Sequence, residues 1–266
     1  MIDFKGQRVL VTGASKGIGE ACAVLFARLG ASVVVHYKKD RKGAHRVALE
    51  CEKHGAQAFT HAADLDLWDE GERLVGESEK LAGPLDVVVL NHGIWTEAAI
   101  DTMSEAQYDA LMNANLRGVF SVAGAAVRRM KLRAGVDHAE AEPRTCRQKG
   151  RIVFIASTAG QRGEALHSHY AASKGAVISL TKSLASELAP DGILVNCVAP
   201  GWVETPMTRP TLEDPKEREK VFRAIPLGRV ATPEEIAWPV AFLASQGATF
   251  VTGEIFNVNG GAVLVG

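Results

Sequence analysis

The sequence predicts one α/β domain, a doubly wound parallel sheet of about seven strands with helices on both faces. Three observations carry that prediction. Short β-branched runs alternate with helix-length segments along all 266 residues. The runs are continuously apolar rather than alternating, as in strands covered on both faces. The first run opens into a glycine-rich turn and then a helix, and repeated strand–helix–strand units imply a parallel sheet.

The elements follow in order. Arg8–Thr12 (RVLVT) reads as the first strand and residues 17–29 as its helix. Ser32–His36 (SVVVH) is the second strand, followed by a helix over 40–54, and Ala56–His61 is the third, followed by 66–81. Asp86–Leu90 (DVVVL) leads into one long helix over 104–130. Arg151–Ile155 (RIVFI) leads into 168–189, Ile193–Val198 (ILVNCV) precedes a helix at 232–245, and Glu254–Val258 closes the sheet. There is no interdomain linker and no repeat, so 1–266 reads as a single domain.

Two stretches break the rhythm. Residues 131–150 are long, polar and charged where a few residues would connect helix to strand, and they read as a surface insertion. Residues 202–229 carry Pro206, Pro210, Pro215 and Pro226. There Asp214 reads as an N-cap, Pro215 as the first helical residue and Glu217 as a capping-box partner, with Val221, Phe222 and Ile225 on one apolar face. Such a segment after a strand suits a lid over a substrate pocket.

Composition narrows the function. Thirty basic and thirty-one acidic residues give a net charge of -1. That balance argues against nucleic-acid or membrane partners held by charge. Cys22, Cys51, Cys146 and Cys197 are dispersed and form no C-x-x-C pair, which favours a reduced intracellular protein over a disulfide frame or metal site. No leader and no 18-residue apolar span is visible, so a cytoplasmic protein is expected.

The turn Thr12-Gly-Ala-Ser-Lys-Gly-Ile-Gly19 spaces its glycines G-x-x-x-G-x-G. Such a loop brings backbone close to a pyrophosphate and seats its charge on a helix N-terminus. A carboxylate near the end of the second strand would favour the free ribose of NAD(H). The sequence there is His36-Tyr37-Lys38-Lys39, and Lys16 lies in the loop itself. These lysines favour the 2′-phosphate of NADP(H), with NAD(H) as the alternative.

Tyr170 and Lys174 stand one helical turn apart, thirteen residues and more beyond Ser157. An ammonium about 4 Å from a phenol is worth ~4 kcal/mol at an effective dielectric of ~20, enough to lower the phenol by two to three pKa units. The pair therefore reads as a general acid/base. The context Ile155-Ala-Ser-Thr-Ala-Gly160 lacks the G-x-S-x-G elbow, which sets a hydrolase aside.

Together these motifs resemble the short-chain dehydrogenase/reductase family along nearly the whole chain, and nearest to its branch that reduces 3-oxoacyl groups on acyl carrier protein. The resemblance implies a Rossmann-like fold and hydride transfer between nicotinamide and a carbonyl or secondary alcohol. It implies that Tyr170 is the proton donor, that Lys174 lowers its pKa and holds ribose, and that Ser157 binds the carbonyl oxygen. Asn115, in N-L-R-G, would support a water linking Lys174 to solvent. For the dinucleotide it implies Gly13, Ser15, Lys16, Gly17, Ile18 and Gly19 in the loop, with Tyr37 and Lys38 beside them. Asp64 and Leu65 would meet the adenine. Asn91, Gly93, Tyr170 and Lys174 would meet the nicotinamide ribose, and Pro200, Gly201, Val203 and Thr205 the amide. A homodimer or homotetramer is implied by the same analogy.

The chain departs from the family pattern twice. N-N-A-G becomes Leu90-Asn91-His92-Gly93, and the closing D-G-G becomes Asn259-Gly260-Gly261. His92 either faces the pocket or packs away from it. His167 and His169 flank the tyrosine and either touch substrate or stand exposed, and Trp95, Trp202 and Phe222 suit either an apolar ligand or the core. The rival readings are a dinucleotide-binding regulator without catalysis and an NAD-dependent alcohol or sugar dehydrogenase of the same fold.

Overall fold

The computed structural model describes residues 2–133 and 148–265. In chain order the elements are β1 (Arg8–Val11), α1 (Gly17–Arg28), β2 (Ser32–Tyr37), α2 (Arg41–Lys53), β3 (Ala58–Ala62), α3 (Trp68–Ala82) and β4 (Val87–Leu90). Then come α4 (Glu105–Met112), α5 (Gly118–Leu132), β5 (Gly150–Ile155), α6 (Ala159–Arg162), α7 (Ser168–Leu188) and β6 (Ile193–Pro200). Last are α8 (Arg209–Glu213), α9 (Pro215–Arg223), α10 (Pro233–Leu243) and β7 (Ile255–Val258).

The seven strands form one sheet in the order β3-β2-β1-β4-β5-β6-β7. Every pairing is parallel. The apolar runs are explained by where alternate residues point. Val9, Val11, Val33, Val35, Val87 and Val89 face one core, shared with Cys22, Phe26, Val47 and Ile236. Leu10, Val34, Val88, Ile152 and Phe154 face the other, shared with Leu74, Val122, Val177 and Leu188. Both faces are dry, so a strand residue has no solvent side to spend on polarity. The strand order reverses between β1 and β4, and a crevice at the carboxyl ends of such strands is where α/β sheets bind ligands.

Three expectations need correction. The single helix over 104–130 is interrupted: α4 is capped by a reciprocal Ser104–Gln107 box, and a π-helical turn, Asn113–Arg117, separates it from α5. Asp214 caps α9 through Lys216 N and Glu217 N. The Glu217 side chain, however, accepts from Lys220 at 2.6 Å instead of closing the box. Finally α6 and α8, short helices beside the crevice, interrupt stretches given no element by periodicity.

The base of the 202–229 segment is fixed. Val203 bridges Ala231, Glu204 N donates to Ala231 O at 2.8 Å, and Ala231 N donates to Trp202 O at 2.9 Å. Val221 and Ile225 turn inward while Phe222 is half-buried. The central part of the expected 131–150 insertion, residues 134–147, lies outside the described residues. No helix among the described residues is long and apolar enough to cross a membrane.

Candidate active site

Each residue singled out from the sequence lies at the carboxyl edge of the sheet or in the helix that follows. Gly13 to Gly19 connect β1 to α1; Tyr37 ends β2 and Lys38 follows it; Asp64 and Leu65 follow β3; Asn91 and Gly93 follow β4. Asn115 sits in the π-turn, Ser157 follows β5, Tyr170 and Lys174 lie in the first half of α7, and Pro200, Gly201, Val203 and Thr205 end and follow β6.

The glycine loop is held by its own Thr12 and by His36, Asn91 and His92 from outside the motif. Gly13 has φ +61°, and a Cβ there would stand 2.9 Å from His92 Cα, so this corner admits only glycine. Its N–H donates to His36 Nδ1 at 3.0 Å, which leaves Nε2 protonated and donating to Ala63 O at 3.1 Å. His36 is thus a neutral pin between β1, β2 and the end of β3. Burial holds its pKa down to about 4. Thr12 Oγ1 donates to Val89 O and accepts from Asn91 N at 2.9 Å, while Asn91 Nδ2 donates to Thr12 O and Gly13 O. His92 Nδ1 meets the same hydroxyl at 2.8 Å, so His92 packs against the loop. Its Nε2 is buried without a partner, and burial, with His36 and Lys174 nearby, holds the ring neutral. Ser15 is buried, and α1 begins at Gly17 and Ile18 with no side-chain cap on its first turn. Those free N–H groups fit a pyrophosphate. Thr205 lies against Gly17, which brings the β6 segment onto the loop.

The reactive groups converge from three elements. Lys174 is buried, and its Nζ donates to Ile155 O at 2.9 Å. The ammonium stands 5.9 Å from the centroid of the Tyr170 ring. A Cβ at Gly93 would lie 3.0 Å from Asn115 Oδ1 and 3.6 Å from Lys174 Nζ, so glycine opens the space between them. Asn115 is fully buried. Its Oδ1 accepts from Ile94 N at 2.7 Å, and its Nδ2 donates to Ile94 O at 2.9 Å and to Ser173 Oγ at 3.3 Å. The π-turn aims this amide inward, where it clasps the strand-end loop rather than Lys174 itself. Ser157 Oγ accepts from Ala159 N at 3.1 Å.

The electrostatics differ from the sequence expectation. Burial pushes the Tyr170 phenol up to about 12; Ser157 opposes the shift by hydrogen bonding and Glu164 adds to it by charge. Burial also pushes Lys174 down to about 8. In the chain alone the phenol therefore lies above its ordinary value, against the net lowering expected from the lysine. The ammonium is engaged by the Ile155 carbonyl, and loss of water is the largest cause of the phenol's shift.

Lys38 is also placed differently from expectation. Its Nζ lies 2.6 Å from Asp64 Oδ1 and 2.5 Å from Asp66 Oδ2. The lysine expected to wait for a 2′-phosphate is paired with two carboxylates, one of them the expected adenine residue.

Beside Tyr170 is an aromatic wall that periodicity alone does not resolve. Trp95 stacks on His167 at 4.5 Å with 6° between the planes and meets Trp202 edge-on at 5.8 Å. Its indole N–H donates to Glu164 at 3.3 Å. His167 and His169 are buried, not exposed; His169 Nε2 meets Thr96 Oγ1 at 3.2 Å. Leu166, immediately before His167, takes φ +62°, held by Ala98 N donating to its carbonyl at 2.8 Å.

Comparison with known proteins agrees with this geometry. The family profile described as "Enoyl-(Acyl carrier protein) reductase" matches residues 13–263. The 3-oxoacyl-[acyl-carrier-protein] reductase FabG of Thermotoga maritima is 36% identical, covering 98% of this chain and 99% of that protein. Nodulation protein G of Rhizobium sp. (strain N33) is 37% identical over the full length of both. Among solved structures, a short-chain dehydrogenase/reductase of the glucose/ribitol dehydrogenase type from Brucella melitensis superposes with TM-score 0.86 at 34% identity over 99% of each chain. A protein assigned as an NAD(P)-dependent gluconate 5-dehydrogenase from Beutenbergia cavernae, solved with bound NADP, gives TM-score 0.87 at 34% identity over 98% of each. With the loop, the tyrosine–lysine pair and the seven-stranded sheet all in place, the chain belongs to the short-chain dehydrogenase/reductase family.

Proposed function

We propose that this NAD(P)-dependent oxidoreductase is an NADP(H)-dependent ketoreductase whose substrate is a 3-oxoacyl thioester. The reading is carried by one observation: Ser157 and Tyr170, half-buried and hydrogen-bonded to each other, meet the buried Lys174 and Asn115 at the carboxyl edge of the sheet. The names of relatives in Thermotoga and Synechocystis support the substrate class. The bound NADP of the Beutenbergia neighbour supports the cofactor.

When bound, the nicotinamide supplies a hydride to the carbonyl carbon. With its pKa near 12, Tyr170 is protonated at neutral pH and gives its proton to the alkoxide oxygen as charge develops there. Ser157 donates a hydrogen bond to the same oxygen, its own oxygen oriented by Ala159 N–H. Lys174, mostly protonated at pH 7, stabilises the phenolate that proton transfer leaves behind. Asn115 fixes Ile94, and with it the loop carrying Asn91 and Gly93. This intact set argues against the regulator without catalysis.

The test is NADPH consumption with acetoacetyl thioester. Tyr170→Phe is expected to lower kcat about a thousandfold while NADPH affinity stays within about twofold. Retained turnover moves the acid elsewhere. The same reading includes a cytoplasmic homodimer or homotetramer. Trp238 and Phe242, one turn apart on α10, and Phe250 are exposed and suit a subunit contact. A monomeric mass in sedimentation would remove that part.

A further inference from the structure

The Lys38 cluster bears on cofactor choice. β2 and β3 are parallel neighbours registered as far as Tyr37 and Ala62, so the loops after them leave the sheet side by side. That places Lys38 beside Asp64 and Asp66. Lys38 and Asp66 are 38% and 34% exposed, so their pair is held in water and is open to exchange. Asp64 has other duties: its Oδ1 accepts from Asp66 N at 3.2 Å, and its N–H donates to Glu70 at 3.2 Å. The Asp66 carboxylate has only Lys38 as a hydrogen-bond partner among the described residues. Asp66 is therefore the removable restraint on the lysine.

We propose that Asp66 is a specificity-determining residue: by occupying Lys38 it competes with the 2′-phosphate of NADP(H) and narrows the discrimination against NAD(H). The inference rests on the NADP(H) reading above. The ribose of NAD(H) is neutral at its 2′ position and asks nothing of Lys38. A 2′-phosphate must draw the ammonium away from Asp66 and then sit near the carboxylate it leaves. Specificity for one ligand is a difference of affinities, and a competing charge sets that difference as well as a contact does.

The experiment titrates NADPH and NADH, by nicotinamide fluorescence at low ionic strength, into wild type, Asp66→Asn, Lys38→Met and the double variant. Asp66→Asn is expected to tighten NADPH about fivefold and to leave NADH within about twofold. In the Lys38→Met background the same change is expected to give less than about twofold, because the residue being released is gone. Equal tightening of both cofactors overturns the inference. So does a full gain that survives without Lys38, which would make Asp66 a simple repeller of phosphate. If wild type prefers NADH yet Asp66→Asn still tightens NADPH selectively, the inference stands and the cofactor reading is revised. A wild type that binds neither dinucleotide overturns both.

Discussion

The two ends of the crevice use charge in opposite ways. Around Tyr170 and Lys174 water is largely excluded, and burial moves the phenol up to about 12 and the ammonium down to about 8. Around Lys38, Asp64 and Asp66 water remains. There burial pulls Lys38 down, but its bonds to Asp64 and Asp66 together win and raise it; burial likewise raises Asp64, and Lys38 wins by lowering it. At the dry end the surroundings set the protonation state and the partners merely adjust it. At the wet end the partners set it, and partners in water can be exchanged.

That contrast can be broken from either side. The largest effect is expected at the dry end. Lys174→Met should lower kcat for ketone reduction by a factor of about a hundred or more, without a compensating fall in KM. The reductive rate should also fall as pH rises through about 8, where the ammonium is lost, and that limb should vanish in the variant. A rate profile flat through pH 8 would show that the charge of Lys174 is not used.

A smaller effect concerns the neutral pin of the glycine loop. His36 titrates near 4 in the fold against about 6.5 unfolded, so its share of stability is complete above the unfolded value and is lost as pH falls through the folded one. By pH 4 the loss should reach about 3 kcal/mol. His61 and Arg73 favour the neutral ring and Glu70 opposes it, none of them as strongly as burial. Urea unfolding between pH 7 and 4 should give a shallower slope for His36→Leu than for wild type. Equal slopes would assign the acid sensitivity to other groups.

Asn115→Ala removes a fully buried amide with three bonds and should cost about 2 kcal/mol in chemical unfolding. The smallest effect belongs to the wet end, where Lys38→Ala should change stability by less than ~1 kcal/mol. A larger loss there would mean that the ion pairs are structural and would erase the distinction between the two ends.

What the sequence disclosed follows the same division. Ser157, Tyr170 and Lys174 were legible because one turn of helix and one strand-to-helix loop fix their spacing locally. The strands were legible because two dry faces demand unbroken apolar runs. His36 sits inside such a run, where the pattern marks it only as one more strand residue; its bonds to Gly13 and Ala63 join segments far apart in sequence. The partners of Lys38 come from the loop after another strand and depend on the β2–β3 register. The raised phenol was hidden for a related reason: a neighbour at one turn can be counted, but the water removed by the rest of the fold cannot. The stack of Trp95 on His167 depends on two loops that meet only in the folded chain.

The π-turn at Asn113–Arg117 carries one residue more than an α-helical path would, and that surplus points Asn115 at Ile94. Each residue of an α-helix rotates the next by about 100°. Deleting any one of the five would straighten the helix and swing the whole of α4 by nearly a third of a revolution against α5. In this stretch it is the number of residues, more than their identity, that natural variation is expected to preserve.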